Sequence, residues 1–301
     1  MNLEISRILD AQTSWARRRG LEIGDSRHAS DLEANLFRPL SEPSRRELEQ
    51  SASHPLGDVR LRAEADKPCD LQLLESTLAL VCNVFEPGRE RPGALAAACG
   101  GDALTEKMCF CARVPAGTSA LTSELTLLFD TDLDPGSRVG RPTAITASYA
   151  EPYRSARPRR EPANRISSRW LEASGVWEGL PMCRRLALDL RATPRRFEHV
   201  SAAELLEAGA ALTTRYGYRG FRLVHVWYDT GGTAAAKYRG ELDRFRFRTG
   251  GELDFRTLTW QQLLARLTAH AGDAAQPVDE THLRYVQDRY ALARCHPDTL
   301  P

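Results

Sequence analysis

Apolar residues recur at helical spacing over residues 70–85, DLQLLESTLALVCNVF, and this run predicts a buried helix. A different rhythm follows. KMCFCARVP (107–115) predicts a strand ending at Pro115, and ELTLLFDTD (124–132) a second strand running into the turn DLDPGS. ITASY (145–149), in which apolar and hydroxyl residues alternate, predicts a third. RLVHVWYD (222–229), β-branched and aromatic, is the clearest strand of the chain, and LDFRTLT (253–259) adds another. Helical patterns cover LEISRILDAQTSWARRR and PSRRELEQS in the charged first sixty residues, interrupted by Pro39, Pro43 and Pro55. They return at 182–190, at 201–217, at 234–248 and at 259–270. Ser201 with Glu204, and Thr259 with Gln262, stand in capping-box spacing at the starts of two of these helices. The order helix, three strands, helix, strand, helix, strand, helix describes an α/β fold, a mixed central sheet flanked by helices. Residues 1–60 read as a helical N-terminal extension and 61–301 as the α/β domain, the two forming one compact unit.

Composition adds exclusions. With 42% hydrophobic and 27% charged residues the 301-residue chain has the balance of a globular protein with a sizeable core. No run approaches the roughly 18 apolar residues of a membrane span. Acids Glu4 and Asp10 stand where a secretory signal would be basic and apolar, so the expected location is cytoplasmic, away from the membrane. The seven cysteines are odd in number and lack a CxxC pair, which argues against a disulfide framework or a zinc site. Cys109 and Cys111, two apart on one expected strand, read as small buried hydrophobes sharing a face.

Charge matters through its distribution. Between Arg154 and Arg196 eleven arginines face four acids, while the whole chain holds only Lys67, Lys107 and Lys237. The bland account is a solvated, internally paired surface. The functional one is a phosphate-tracking surface in which Arg154, Arg157, Arg159, Arg160, Arg165 and Arg169 contact nucleic acid. Trp170, Trp177, Trp227 and Tyr228 read as core or rim aromatics that could stack on bases in such a groove. His225, inside an apolar strand, reads as a satisfied histidine. The absence of a G-x-x-x-x-G-K-[ST] sequence disfavours a nucleotide cofactor.

The element order resembles the restriction-endonuclease-like fold of the PD-(D/E)XK superfamily. More specifically, NLFRPLSEPSRRELE (35–49), LESTLALVCNVF (74–85), FCARVPAG (110–117), ITASYAEPY (145–153), SGVWEGLPMCRRLALDL (174–190), YRGFRLVHVWYD (218–229) and LDFRTLTWQQLLARL (253–267) look like a bacterial family of restriction-endonuclease-like proteins. The likeness runs from about residue 30 to about residue 290. It implies a first strand like F-E-A-K-x-P, which places Cys111 at the acid and Arg113 at the lysine. It implies a second strand like N-L-D-V-L-L, which places Thr126 at the metal-binding aspartate. A third like I-E-S-K-F-T-E-P-Y places Thr146 at the glutamate and Ser148 at the catalytic lysine. The flanking words are kept and the reactive residues are replaced.

The lysines supply a check independent of that alignment. An acid two residues before a lysine puts both on one strand face, where the carboxylate holds Mg²⁺. The residues two before the three lysines are Ala65, Thr105 and Ala235, so no (D/E)xK triplet exists. Three accounts stay open: a degenerate nuclease that binds DNA or a protein partner without cutting and needs no cofactor or metal; an active Mg²⁺-dependent endonuclease whose acids have moved to Glu124, Asp130 or Glu151; and a protein-interaction subunit of a restriction or defence assembly. DTDLDPG (130–136) reads as a solvated turn more readily than a metal site. A calcium loop there lacks its glycine and glutamate, Pro135 and Arg141 standing in those places.

Overall fold

The computed structural model describes residues 3–23, 35–52, 71, 73–117, 121–130, 140–153, 166–271 and 279–290. Ten helices and seven strands are formed among them. α1 (Leu3–Arg18) and α2 (Glu42–Ala52) come first, then α3 (Thr77–Phe85) and α4 (Pro92–Ala98). The strands β1 (Lys107–Phe110), β2 (Arg113–Pro115), β3 (Thr122–Glu124), β4 (Leu127–Asp130) and β5 (Thr143–Ser148) follow. α5 (Ser168–Glu172), α6 (Pro181–Ala192) and α7 (Ala202–Tyr216) lead to β6 (Arg222–Trp227). α8 (Thr233–Arg248), β7 (Phe255–Thr259), α9 (Trp260–Ala271) and α10 (Glu280–Tyr290) complete the order. None of the described helices is long and apolar enough to cross a membrane.

The central sheet has the order β1-β4-β5-β6-β7. Its first three strands are antiparallel, while β6 and β7 run parallel to β5, each reached through helices. The fold is therefore α/β with a mixed sheet. Side chains alternate across a strand, so the registers assign faces. Thr126 continues β4 opposite Thr146, and Thr146 lies beside His225. These residues, with Ser148 and Trp227, share the face covered by α8, whose Tyr238 stacks on His225 and Trp227. The opposite face carries Phe129, against which Phe85 of α3 packs; Phe85 also meets Trp260 of α9.

Three local departures from the sequence pattern have physical causes. KMCFCARVP and ELTLLFDTD are not single strands. Both break, at Cys111–Ala112 and at Leu125–Thr126, while keeping one common register. Cys111 N–H donates to the Thr126 carbonyl at 3.0 Å and Leu125 N–H to the Ala112 carbonyl at 2.9 Å, so one hairpin is bent rather than interrupted. The bend sits on Cys111, whose φ of 47° is left-handed and uncommon for a side-chain-bearing residue. Cys109 and Cys111 therefore do not share one flat strand face as the i, i+2 spacing suggested. Second, the helix expected over 70–85 begins only at Thr77, capped by Ser76. Upstream, the Asn35 amide takes the carbonyls of Leu71 and Leu73 at 2.6 and 3.0 Å, holding a turn there. Third, the two capping boxes part company. Thr259 and Gln262 bond reciprocally, at 2.9 and 3.1 Å. Ser201 makes no side-chain cap, and the approach to α7 is held by Glu241, whose carboxylate accepts from the N–H groups of Glu198, His199 and Val200. Helices α4, α5 and α10 have no counterpart in the pattern reading above.

The first helix is tied into the sheet region at both ends. The Glu4 carboxylate, buried, accepts from the N–H groups of Ala234 and Ala235 and from the Thr230 hydroxyl, capping α8 where the helix dipole favours an anion. Further along α1, Gln12 and Trp15 enclose Arg289 of α10, which is 2% exposed. The four hydrogen bonds of its guanidinium end on neutral groups, Gln12 Oε1, Tyr285 Oη and the Oδ1 and carbonyl of Asn35. Its charge lies 4.2 Å from the Trp15 ring centre and 4.8 Å from that of Tyr290.

Candidate functional site

At the carboxyl end of β5 the bend of the hairpin leaves a cavity of about 670 Å³. It is closed by the start of α3, by α5 through Trp170, and by the first turns of α7. This is the position where open α/β sheets bind ligands, outside the carboxyl ends of parallel strands. Cys111, Thr126, Thr146 and Ser148 all line it, as do Glu124, Glu151 and His225.

The hydroxyls are committed to internal partners. Thr126 Oγ1 accepts from Ala147 N–H at 3.0 Å. Thr146 Oγ1 lies 2.9 Å from His225 Nδ1, and His225 Nε2 lies 2.7 Å from the Tyr238 hydroxyl. Tyr238 in turn donates to Ser148 Oγ at 3.3 Å. With that proton on Ser148, Nε2 carries the imidazole hydrogen and Nδ1 accepts from Thr146, which satisfies every member of the chain. Burial holds His225 down at about 4, so it is neutral at neutral pH, and burial raises Tyr238. His225 is thus a satisfied histidine, as its apolar strand suggested. A Mg²⁺ ion would need carboxylates at these positions, and the hydroxyls that stand there do not fit one. Among the described residues no group of three or more His, Cys, Asp or Glu side chains is placed to hold a metal ion.

The acids near the strand ends separate on inspection. Glu151 lines the cavity, but its carboxylate accepts from the Thr77 hydroxyl and from Tyr149 N–H, fastening the end of β5 to the start of α3. Glu124 lines it too, directly opposite Arg113 in the β2–β3 ladder. Asp130 does not belong to the cavity. It lies at the other end of β4, opposite Lys107, where it accepts from Tyr216 Oη at 2.9 Å beside Arg215. Arg169 is exposed on α5, adjacent to the cavity residue Trp170. Arg154, Arg157, Arg159, Arg160 and Arg165, together with Asp132 and Asp134, lie outside the described residues.

Two carboxylates that the sequence did not mark as site residues, Glu204 (there a capping-box partner) and Glu207, reach the cavity from α7. Their signal was present as the only charges in the apolar run AAELLEAGAAL. Their i, i+3 spacing turns both toward one side of the helix. Burial, reinforced by Glu204 next to it, pushes Glu207 up to about 7. A folded value above the unfolded one means that folding takes up a proton. The associated stability is full below about 4.5 and is lost as pH rises through about 7. Glu207→Gln should therefore flatten the fall in denaturation free energy between pH 5 and pH 8 by an amount on the order of 2 kcal/mol. Parallel pH profiles for the native protein and the variant would show the carboxyl to be ordinary.

Two thiols outside the cavity lining, the buried Cys82 and the half-buried Cys109, are shifted as well. Burial raises Cys82, and it pushes Cys109, which the Glu47 carboxylate also affects, to about 11. Neither has the lowered value of a reactive thiolate. In comparisons with known proteins, no family model, no curated protein and no solved structure matches the chain.

Proposed function

We propose that this chain is a nuclease-like protein of the restriction-endonuclease type, with a degenerate catalytic motif, that binds DNA without cutting it. One observation carries the reading. The four positions where the resemblance expects acid, acid, acid and lysine come together in one cavity, and they are Cys111, Thr126, Thr146 and Ser148. Three antiparallel strands followed by a helical crossover to a parallel fourth agree with that fold. The hydroxyls bond to Ala147, His225 and Tyr238 instead of presenting charge.

A second reading draws on Glu204 and Glu207. Together with Glu124 they bring carboxylates to the same cavity from outside the expected motif, as a Mg²⁺-dependent endonuclease with relocated acids would require. Plasmid incubation with Mg²⁺ or Mn²⁺, with EDTA as control, decides between the two. The favoured reading expects intact plasmid and salt-sensitive retention on duplex DNA at low ionic strength. Cleavage abolished by EDTA and by Glu207→Ala establishes the second. Intact plasmid without any DNA retention turns the reading to a protein-interaction subunit.

A further inference from the structure

Six large hydrophobic side chains are exposed among the described residues, and four of them gather at one end of the molecule: Met182 (40%), Leu188 (50%), Tyr218 (54%) and Phe247 (81%). The backbone brings them together. α6 and the C-terminal half of α8 lie side by side in opposite directions. Asp189 of α6 holds both Arg196 and Arg248, and Arg244 donates to the Arg196 carbonyl at 3.1 Å. Met182 abuts Gly250 just past α8, and Arg219, whose guanidinium lies over the Tyr218 ring, donates to the Gly251 carbonyl at 2.8 Å.

Arginines stand between these apolar groups. Arg184, Leu188 and Arg191 follow one another at helical intervals along the exposed side of α6, and Arg195 lies just past its end. Arg244, Arg246 and Arg248 surround Phe247 on α8. Counting Arg185, Arg196 and Arg219, nine arginines are opposed at this surface by Glu178, Asp189, Glu198 and Asp243. Glu241 and Glu252 are buried and spend their carboxylates on backbone N–H groups. The apolar side chains are dispersed singly among cations and form no continuous dry patch of the kind a protein interface centres on.

We infer that this face binds single-stranded nucleic acid, its guanidiniums on successive phosphates and the Phe247 and Tyr218 rings against unstacked bases. It rests on the reading above only in taking nucleic acid as the partner. Planar rings standing in solvent offer π-faces that a closed duplex cannot meet, whereas a single strand can splay its bases onto them. Guanidiniums supply bidentate phosphate contacts along the same path.

Fluorescence anisotropy with labelled oligothymidylate and with a duplex of equal length tests this on the full chain. Phe247→Ala should weaken oligothymidylate binding about tenfold, the loss of one stacked base, and leave duplex binding unchanged. The double variant Arg184→Glu/Arg191→Glu should reduce the slope of log affinity against log salt by about 1.4, two phosphate contacts of a single strand. A charge-matched control, Arg7→Glu/Arg17→Glu on exposed positions of α1, should leave both unchanged, and circular dichroism confirms that each variant is folded. Native-like oligothymidylate affinity in both α6 and α8 variants overturns the assignment. So does binding of polyglutamate in place of oligothymidylate, which marks an acidic protein as the partner. Loss of duplex retention with oligothymidylate binding intact would sink the proposed duplex function and leave this surface standing.

Discussion

Arg289→Ala should lower the free energy of unfolding by about 3–5 kcal/mol, from buried polar groups left unsatisfied at about 1–3 kcal/mol each and from the cavity left behind. The substitution strands the Asn35 amide oxygen, Gln12 Oε1 and the Tyr285 hydroxyl in a space that water does not reach, while the Asn35 carbonyl keeps only its bond from Asn83 Nδ2. It also empties the gap between Trp15 and Tyr290 that the guanidinium fills. Three orphaned partners and a cavity act in the same direction, so this effect exceeds that of losing any single surface contact. Arg289→Met, which keeps most of the volume and none of the donors, separates the two contributions and should recover only the packing part. Urea denaturation measures both. A change under about 1 kcal/mol for Arg289→Ala would mean that α1 and α10 hold together without this node. Selective loss of α1, read by protease sensitivity near its C-terminus ahead of global unfolding, would locate the damage in the tie between the first helix and the last.

The triple variant Thr126→Asp, Thr146→Glu and Ser148→Lys should confer binding of Mn²⁺ or Mg²⁺, seen by calorimetry as heat that EDTA abolishes. The first two positions face one another across the β4–β5 register, and all three line the cavity. Two carboxylates there supply the oxygen ligands that Mg²⁺ needs while leaving room for its waters. Glutamate at 146 would also stand beside His225, raising that imidazole from about 4 by favouring its charged form. The neutral triple variant Thr126→Asn, Thr146→Gln and Ser148→Met controls for the disturbed hydrogen bonds and should show no metal heat. A folded charged variant that binds neither metal would refute the correspondence between these residues and the expected motif.

Much of the sheet was legible. RLVHVWYD is a near-continuous apolar run, as a strand between two packed layers must be, and it became β6. ITASY became the central β5, and the Thr259–Gln262 box formed with both bonds. The identical spacing at Ser201 and Glu204 formed no side-chain cap; Glu204 lines the cavity, and Glu241, forty residues downstream, holds the backbone N–H groups that lead into α7. Spacing records which bonds a segment can make, and tertiary neighbours settle which it does make. The same holds for residues 70–85, where apolar periodicity was real but Asn35 took the carbonyls that a longer helix would have used.

The candidate site divides along the same line. Setting hydroxyls and a thiol at the places of acids and a lysine rests on the resemblance, whereas that no (D/E)xK triplet exists followed from residue order alone. So did the α/β order of elements, since periods of two and of 3.6 residues are properties of local chain geometry. The tertiary structure decided the rest. It bent the hairpin at Cys111, opened the cavity there, removed Asp130 to the far end of its strand and brought in Glu204 and Glu207 from a helix some sixty residues beyond β5. Burial and proximity between distant segments control such outcomes, along with the proton that Glu207 retains near neutral pH, and neither quantity is a function of local sequence.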